Sequence, residues 1–178
     1  MSKYKLNKKK DGSKTAFLIV ISIVAVILIS LAVIKTDVLI ISSKMNGNIK
    51  IVRKLNKDSY IGIIYTHSVE KTETSEWYRI ENEKLVLMEE RWKSQGAGLP
   101  TTFNWKFEST KDGFRFYDIN EPFDEFVYRT GCVIANHRLN IDGKEERFLD
   151  FSEPREALEF KTRKVSLFRF ITWRWVYG

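Results

Sequence analysis

The chain has very little sulfur and imidazole: Cys132, His67 and His137 are its only cysteine and histidines in 178 residues. One cysteine excludes an intramolecular disulfide, so the fold must hold by packing. A lone cysteine is most often a small buried hydrophobe. There is no H-E-x-x-H and no paired-cysteine spacing, so no metal centre is expected. A Gly-Lys-Ser/Thr phosphate loop opening a helix is also missing, and no cofactor is expected. No cysteine follows the apolar run described below, which excludes a lipoprotein anchor. Internal repeats are absent, and low complexity is confined to a Lys-rich tail.

The formal net charge of +7 invites a nucleic-acid reading, which the distribution of charge removes. Lys3, Lys5, Lys8, Lys9, Lys10 and Lys14 precede the apolar run, opposed only by Asp11, which leaves +5 in the tail and +2 elsewhere. The basic balance is a topology signal and not a phosphate-binding footprint, so no nucleic-acid partner is expected.

Residues 15–34 carry no charge and are bracketed by Lys14 and Lys35; fourteen of them are Ile, Val, Leu or Phe. Twenty residues rise about 30 Å as a helix, the thickness of a bilayer's hydrocarbon core. No polar face recurs at helical period, which argues against a core helix. A cleaved signal peptide is the rival, because Ser30-Leu31-Ala32 places small residues where a peptidase cuts. The length of the run, continuing through Val33 and Ile34, favours a retained anchor. The lysines orient it with residues 1–14 in the cytoplasm, a span at 15–34, and residues 35–178 outside, in a cell-membrane protein that crosses once.

Beyond Lys35 the apolar period becomes two. Segments 37–43 and 49–55 flank Asn46-Gly47, a hairpin signal. Further strands are expected at 59–69, 76–80, 85–92, 103–107, 114–117, 127–130, 133–139, 158–162 and 165–175, with turns at 81–84, Asp112-Gly113 and Asp142-Gly143. Residues 153–159 could form one short helix capped by Ser152. About 140 residues make one domain, and strands recurring about every ten residues predict an all-β antiparallel sandwich or partly closed barrel behind one N-terminal transmembrane helix.

Tyr65-Thr66-His67-Ser68-Val69-Glu70 is the most informative segment. His67 beside Ser68 suggests a base and nucleophile, but adjacent strand residues point to opposite faces, and His67 would share its face with Ile61, Ile63, Tyr65 and Val69. The plain reading is a partly buried histidine. His137 repeats it beside Val133, Ala135 and Leu139. A metal set built from both histidines with Glu70 or Glu76 is poorly supported. Gly96-Ala97-Gly98-Leu99-Pro100 is either a turn or a run of backbone amides lining a pocket. Lys161, Arg163, Lys164, Arg169 and Arg174 interleave with Phe168, Phe170, Trp173, Trp175 and Tyr177, which suits a membrane interface or partner surface, or a final strand with an apolar inner face.

These segments resemble a bacterial family, the domain of unknown function 1850. The matching residues are Tyr65, His67, Ser68, Val69 and Glu70, then Glu76 and Tyr78, then Gly96, Ala97, Gly98, Leu99 and Pro100, with a weaker match at His137 and Leu139. The resemblance covers roughly residues 50–165. It implies no established activity. It implies association with tripartite (TRAP) transporters of the TAXI type, whose genes neighbour the family's. The candidate ligand- or partner-binding residues are therefore Tyr65, His67, Ser68, Glu70, Glu76, Tyr78, Gly96, Gly98, Pro100 and His137, with no catalytic set assigned. The expected role is an accessory or binding module for an organic-acid transporter, contacting its membrane subunit or its binding protein. The alternatives are an envelope hydrolase using Ser68 or His67, or a structural envelope protein without a ligand.

Overall fold

A computed structural model describes residues 3–94, 104–131 and 134–177. Helix α1 (Lys3–Val33) leads into strand β1 (Lys35–Ser43) with Ile34 alone between them. From Gly12 to Val33 this helix is long and apolar enough to cross a membrane, and none of that stretch is buried. β1 and β2 (Ile49–Leu55) form the expected hairpin, with Gly47 at φ +72°. β3 (Ile61–Thr66), β4 (Glu73–Glu81) and β5 (Lys84–Trp92) follow. Asn82 and Glu83 both take positive φ between β4 and β5, the backbone that a two-residue hairpin turn needs to match strand twist. Then come β6 (Lys106–Thr110), β7 (Gly113–Tyr117), β8 (Glu121–Phe123), β9 (Glu125–Arg129), β10 (Arg138–Ile141) and β11 (Lys144–Arg147). Gly113 is required where it stands: its φ is +135°, and a Cβ would lie 2.2 Å from the Trp92 carbonyl oxygen. A 3₁₀ turn (Phe148–Asp150), β12 (Ala157–Ser166) and α2 (Leu167–Tyr177) complete the order.

All pairings are antiparallel and form two sheets. The smaller runs β2-β1-β12-β9; the larger runs β11-β10-β3-β4-β5-β7-β6, with β8 beside β5. They do not close into a barrel, and the arrangement is a sandwich. Leu39, Ile41, Leu158 and Phe160 of the smaller sheet meet Ile61, Ile63, Leu85, Leu139 and Phe148 in the shared core, all of them essentially inaccessible. On the other face of β1, Val38 and Ile40 pack with Val52, Val165 and Phe170 beneath α2. β1 is thus buried on both sides, which is why residues 38–41 read as an unbroken apolar run.

Several expectations change. Residues 165–175 are not one strand: β12 stops at Ser166 and residues 167–177 are helical. Ser166 supplies the cap, its Oγ accepting from the Arg169 N–H at 3.2 Å, and Leu167, Phe170, Trp173 and Tyr177 fall on the face toward the sheet. The short helix at 153–159 is replaced by a turn leading into β12. Ser152 does not cap it; its hydroxyl donates to the Phe148 carbonyl and meets Thr130 Oγ1. The strand at 59–69 ends at Thr66, because residues 67–70 turn back and Lys71 N–H bonds to the His67 carbonyl. The strand at 133–139 begins only at Arg138, leaving His137 in the preceding loop. The strand expected at 103–107 starts only at Lys106 and runs on to Thr110 as β6; Asn104 and Trp105 lie in a bend before it, and Phe103 is outside the described residues. Two short strands, β8 and β11, carry too few residues to show a period.

Candidate functional site

The inner face of the larger sheet has one anomalous row. Leu139, Ile63, Glu76, Glu90 and Phe116 lie opposite one another across five strands, so two carboxylates stand in the middle of an apolar line. Tyr128 of β9 reaches them from the opposing sheet. Tyr78 Oη donates to Glu76 Oε2 at 2.6 Å, and Tyr128 Oη donates to the same oxygen. Phenol-to-carboxylate bonds are charge-assisted and roughly twice as strong as neutral ones. Burial, followed by the Glu76 charge, raises the Tyr78 phenol; burial followed by Tyr78 and Glu76 raises Tyr128. Tyr65, raised to about 12 mainly by burial, completes the wall.

Among the described residues Glu90 bonds to neither a phenol nor a cation. Burial first, then the charges of Glu76 and Glu121, push its carboxyl up to about 7. Among the described residues no Lys or Arg forms an ion pair with Glu76 or Glu90. The cluster can therefore accept hydrogen bonds through Glu76 and exchange a proton near neutrality through Glu90. It is half-buried.

His137 closes one side. Its ring lies 5.3 Å from Tyr65, 5.9 Å from Tyr128 and 5.3 Å from Phe148, on which it stacks. Its Nδ1 accepts from the Gly131 N–H at 3.0 Å, so the proton of the neutral ring sits on Nε2. Burial lowers its pKa. His67 stands apart on the turn after β3, where its Nδ1 accepts from the Glu70 N–H at 3.2 Å. Ser68 is exposed on the same turn, and no hydrogen bond joins it to His67. The Glu70 carboxylate instead accepts from Ser94 Oγ at 3.0 Å. The turn is thereby tied to the approach of the glycine segment, but Gly96, Gly98 and Pro100 lie outside the described residues. Among the described residues no group of three or more His, Cys, Asp or Glu could hold a metal ion.

Position along the sandwich follows from register. Tyr128 lies opposite Leu158, and Leu158 opposite Ser43, at the end of β1 farthest from α1. Eight residue steps separate Lys35 from Ser43, about 26 Å of strand. The polar cluster is at the end of the sandwich away from the apolar helix.

Of the expected residues, Tyr65, Glu76, Tyr78 and His137 converge, while His67, Ser68 and Glu70 form an adjacent turn. Glu90 and Tyr128 are not among the residues the sequence motifs mark. Tyr128 could have been found by its alternation with Phe126. Glu90 was hidden by a bulge: Glu89 pairs with Trp77 but Leu87 with Tyr78, so Met88 is an extra residue that switches which side chains face inward. Simple alternation from Leu85 and Leu87 points Glu89 inward instead.

No curated protein and no solved structure matches the chain. What does match is a family model: residues 61–148, which hold every member of this cluster, are similar to the Domain of unknown function (DUF1850).

Proposed function

We propose that the chain is a membrane-anchored binding module of the cell envelope, with tail 1–14 in the cytoplasm, a retained span at 15–34 and the sandwich outside. Its site is the polar cluster around Glu76, and it serves a tripartite solute transporter by engaging that system's soluble binding protein or the solute it carries. The observation that carries this reading is the Glu76–Glu90 pair. Two carboxylates that pair with no cation among the described residues, set in an apolar row, oppose folding, and a residue chosen for packing alone would be apolar. Their place at the end of the sandwich away from α1 favours a partner that arrives through the aqueous phase over one embedded in the bilayer. The transporter itself rests on the family resemblance. A hydrolase using Ser68 and His67 gains no support, since His67 is engaged with the Glu70 backbone.

The test uses the full chain in lipid nanodiscs, titrated with the purified binding protein of a TAXI-type system, both solute-loaded and empty. Saturable binding is expected, weakened about tenfold or more by Glu76→Gln, the loss of about 1.4 kcal/mol. Absence of binding by the unmodified chain in both states would overturn the transporter role.

A further inference from the structure

We propose that α2 is a second membrane contact, its outward face of Phe168, Ile171 and Trp175 lying in the headgroup zone of the bilayer that α1 crosses. This rests on reading α1 as a retained span.

The first support is position. Lys35 pairs with Ser166, and the Leu167 N–H donates to the Ile34 carbonyl at 2.8 Å, so α2 begins hydrogen-bonded to the residue that follows α1. The two helices also touch. Of residues 12–33, Ser30 and Leu31 alone are less than exposed. Ser30 lies four residues before Ile34, about 6 Å deeper along the helix axis. With α1 filling the hydrocarbon core, the first turn of α2 is held at the boundary between acyl chains and headgroups.

The second support is the face itself. Leu167, Phe170, Trp173 and Tyr177 pack toward the sheet. Phe168, Ile171 and Trp175, at i, i+3 and i+7, point the other way and are 53%, 48% and 93% exposed. A helix apolar on the side facing its own protein and also on the outer side does not suit water. Trp175 is nearly bare, and Trp is the residue enriched where bilayer meets water.

The third support is charge. Lys35, Arg169 and Arg174 flank the stripe and are all exposed. The Arg169 guanidinium sits over the Trp173 ring, 4.4 Å from its centroid. Cations beside an apolar stripe match anionic headgroups. Two contacts, a span and an interfacial helix, would stop the domain swinging on one tether and hold the Glu76 end pointed away from the bilayer.

The test places the full chain in nanodiscs of mixed zwitterionic and anionic lipids with bromines either high or deep on the acyl chains. The signal of Trp175 is taken as the difference between the chain and its Trp175→Phe variant, a change at a nearly bare position that leaves the fold intact. Quenching of that signal is expected from shallow bromines, more than from deep ones, with protection from aqueous iodide. Quenching by iodide and not by bromolipid would put the face in water and overturn the proposal. Protection from both would mean a protein covers it, a second copy or a partner, and would overturn it equally. If the chain does not enter the discs at all, the span reading fails and the inference with it, an outcome distinct from a seated chain with Trp175 in water.

Discussion

The smaller and larger sheets share one core but are built on different rules. The smaller is apolar through its thickness: β1 buries Leu39 and Ile41 against the larger sheet and Val38 and Ile40 under α2. The larger has a charged outer face, with ion pairs Arg91–Glu89, Arg115–Glu108 and Arg138–Glu73, and Trp77 laid between Tyr60 and Arg91. Its inner face carries two carboxylates, Glu76 and Glu90, that form no ion pair with a Lys or Arg among the described residues. The smaller sheet is the one joined directly to α1; the larger carries the polar cluster. The family match follows that line, spanning every strand of the larger sheet and only β9 of the smaller. The matched segment leaves out β1, β2 and β12, which supply much of the core it packs on.

The sharpest way to break this comparison is to separate the sheets. Residues 61–148 expressed alone should show no cooperative thermal or urea transition, since Ile63, Leu85 and Leu139 would face water. A cooperative transition with dispersed amide resonances would show that the larger sheet stands by itself. Next in size is Phe160→Ala. Phe160 is wholly buried, stacked 5.2 Å from Phe126 and packed on Phe148 and Tyr128, so it joins the sheets at the site. Its loss should destabilise by about 3–5 kcal/mol, read from the urea midpoint.

Smallest is Glu90→Gln, which addresses the larger sheet's inner face. With its carboxyl raised to about 7 when folded, Glu90 binds its proton more tightly in the native than the unfolded chain. Stability should then fall as pH rises from the ordinary carboxyl range to about 7, and level off above. The variant should lose that slope and be more stable at neutral pH, by on the order of 1–2 kcal/mol once solvent screening of this half-buried group is allowed for. Melting temperatures from about pH 5 to about pH 8 would show it; an unchanged slope would remove Glu90 as its source. His137, lowered by burial, works in the opposite direction, its share of stability being lost as pH falls through about 6.5.

Local signals were legible where the physics is local. Asn46-Gly47, Asp142-Gly143 and Asp112-Gly113 mark turns because few residues tolerate those backbone angles, and the strands between them alternate because one face is buried. Residues 165–175 read as a strand because alternating aromatics and arginines fit a strand as well as a helix whose two sides are both apolar. Tyr65, Glu76, Tyr78 and His137 were named from a motif, but nothing local joins them to Tyr128, which arrives from the other sheet, or to Glu90, which an extra residue in β5 turns inward.

By itself the sequence determined the apolar helix, the β-rich class, the single-cysteine architecture held by packing, and the placement of most of the positive charge ahead of the helix. These depend on composition and on periods of a few residues. Tertiary structure alone decided which carboxylate faces the core, which phenols hold it, that His67 and His137 occupy separate settings, and that the polar cluster and α1 lie at opposite ends of the sandwich. Each of those is a pairing between residues far apart in the chain, set by register and bulge, and one residue of slip reverses it.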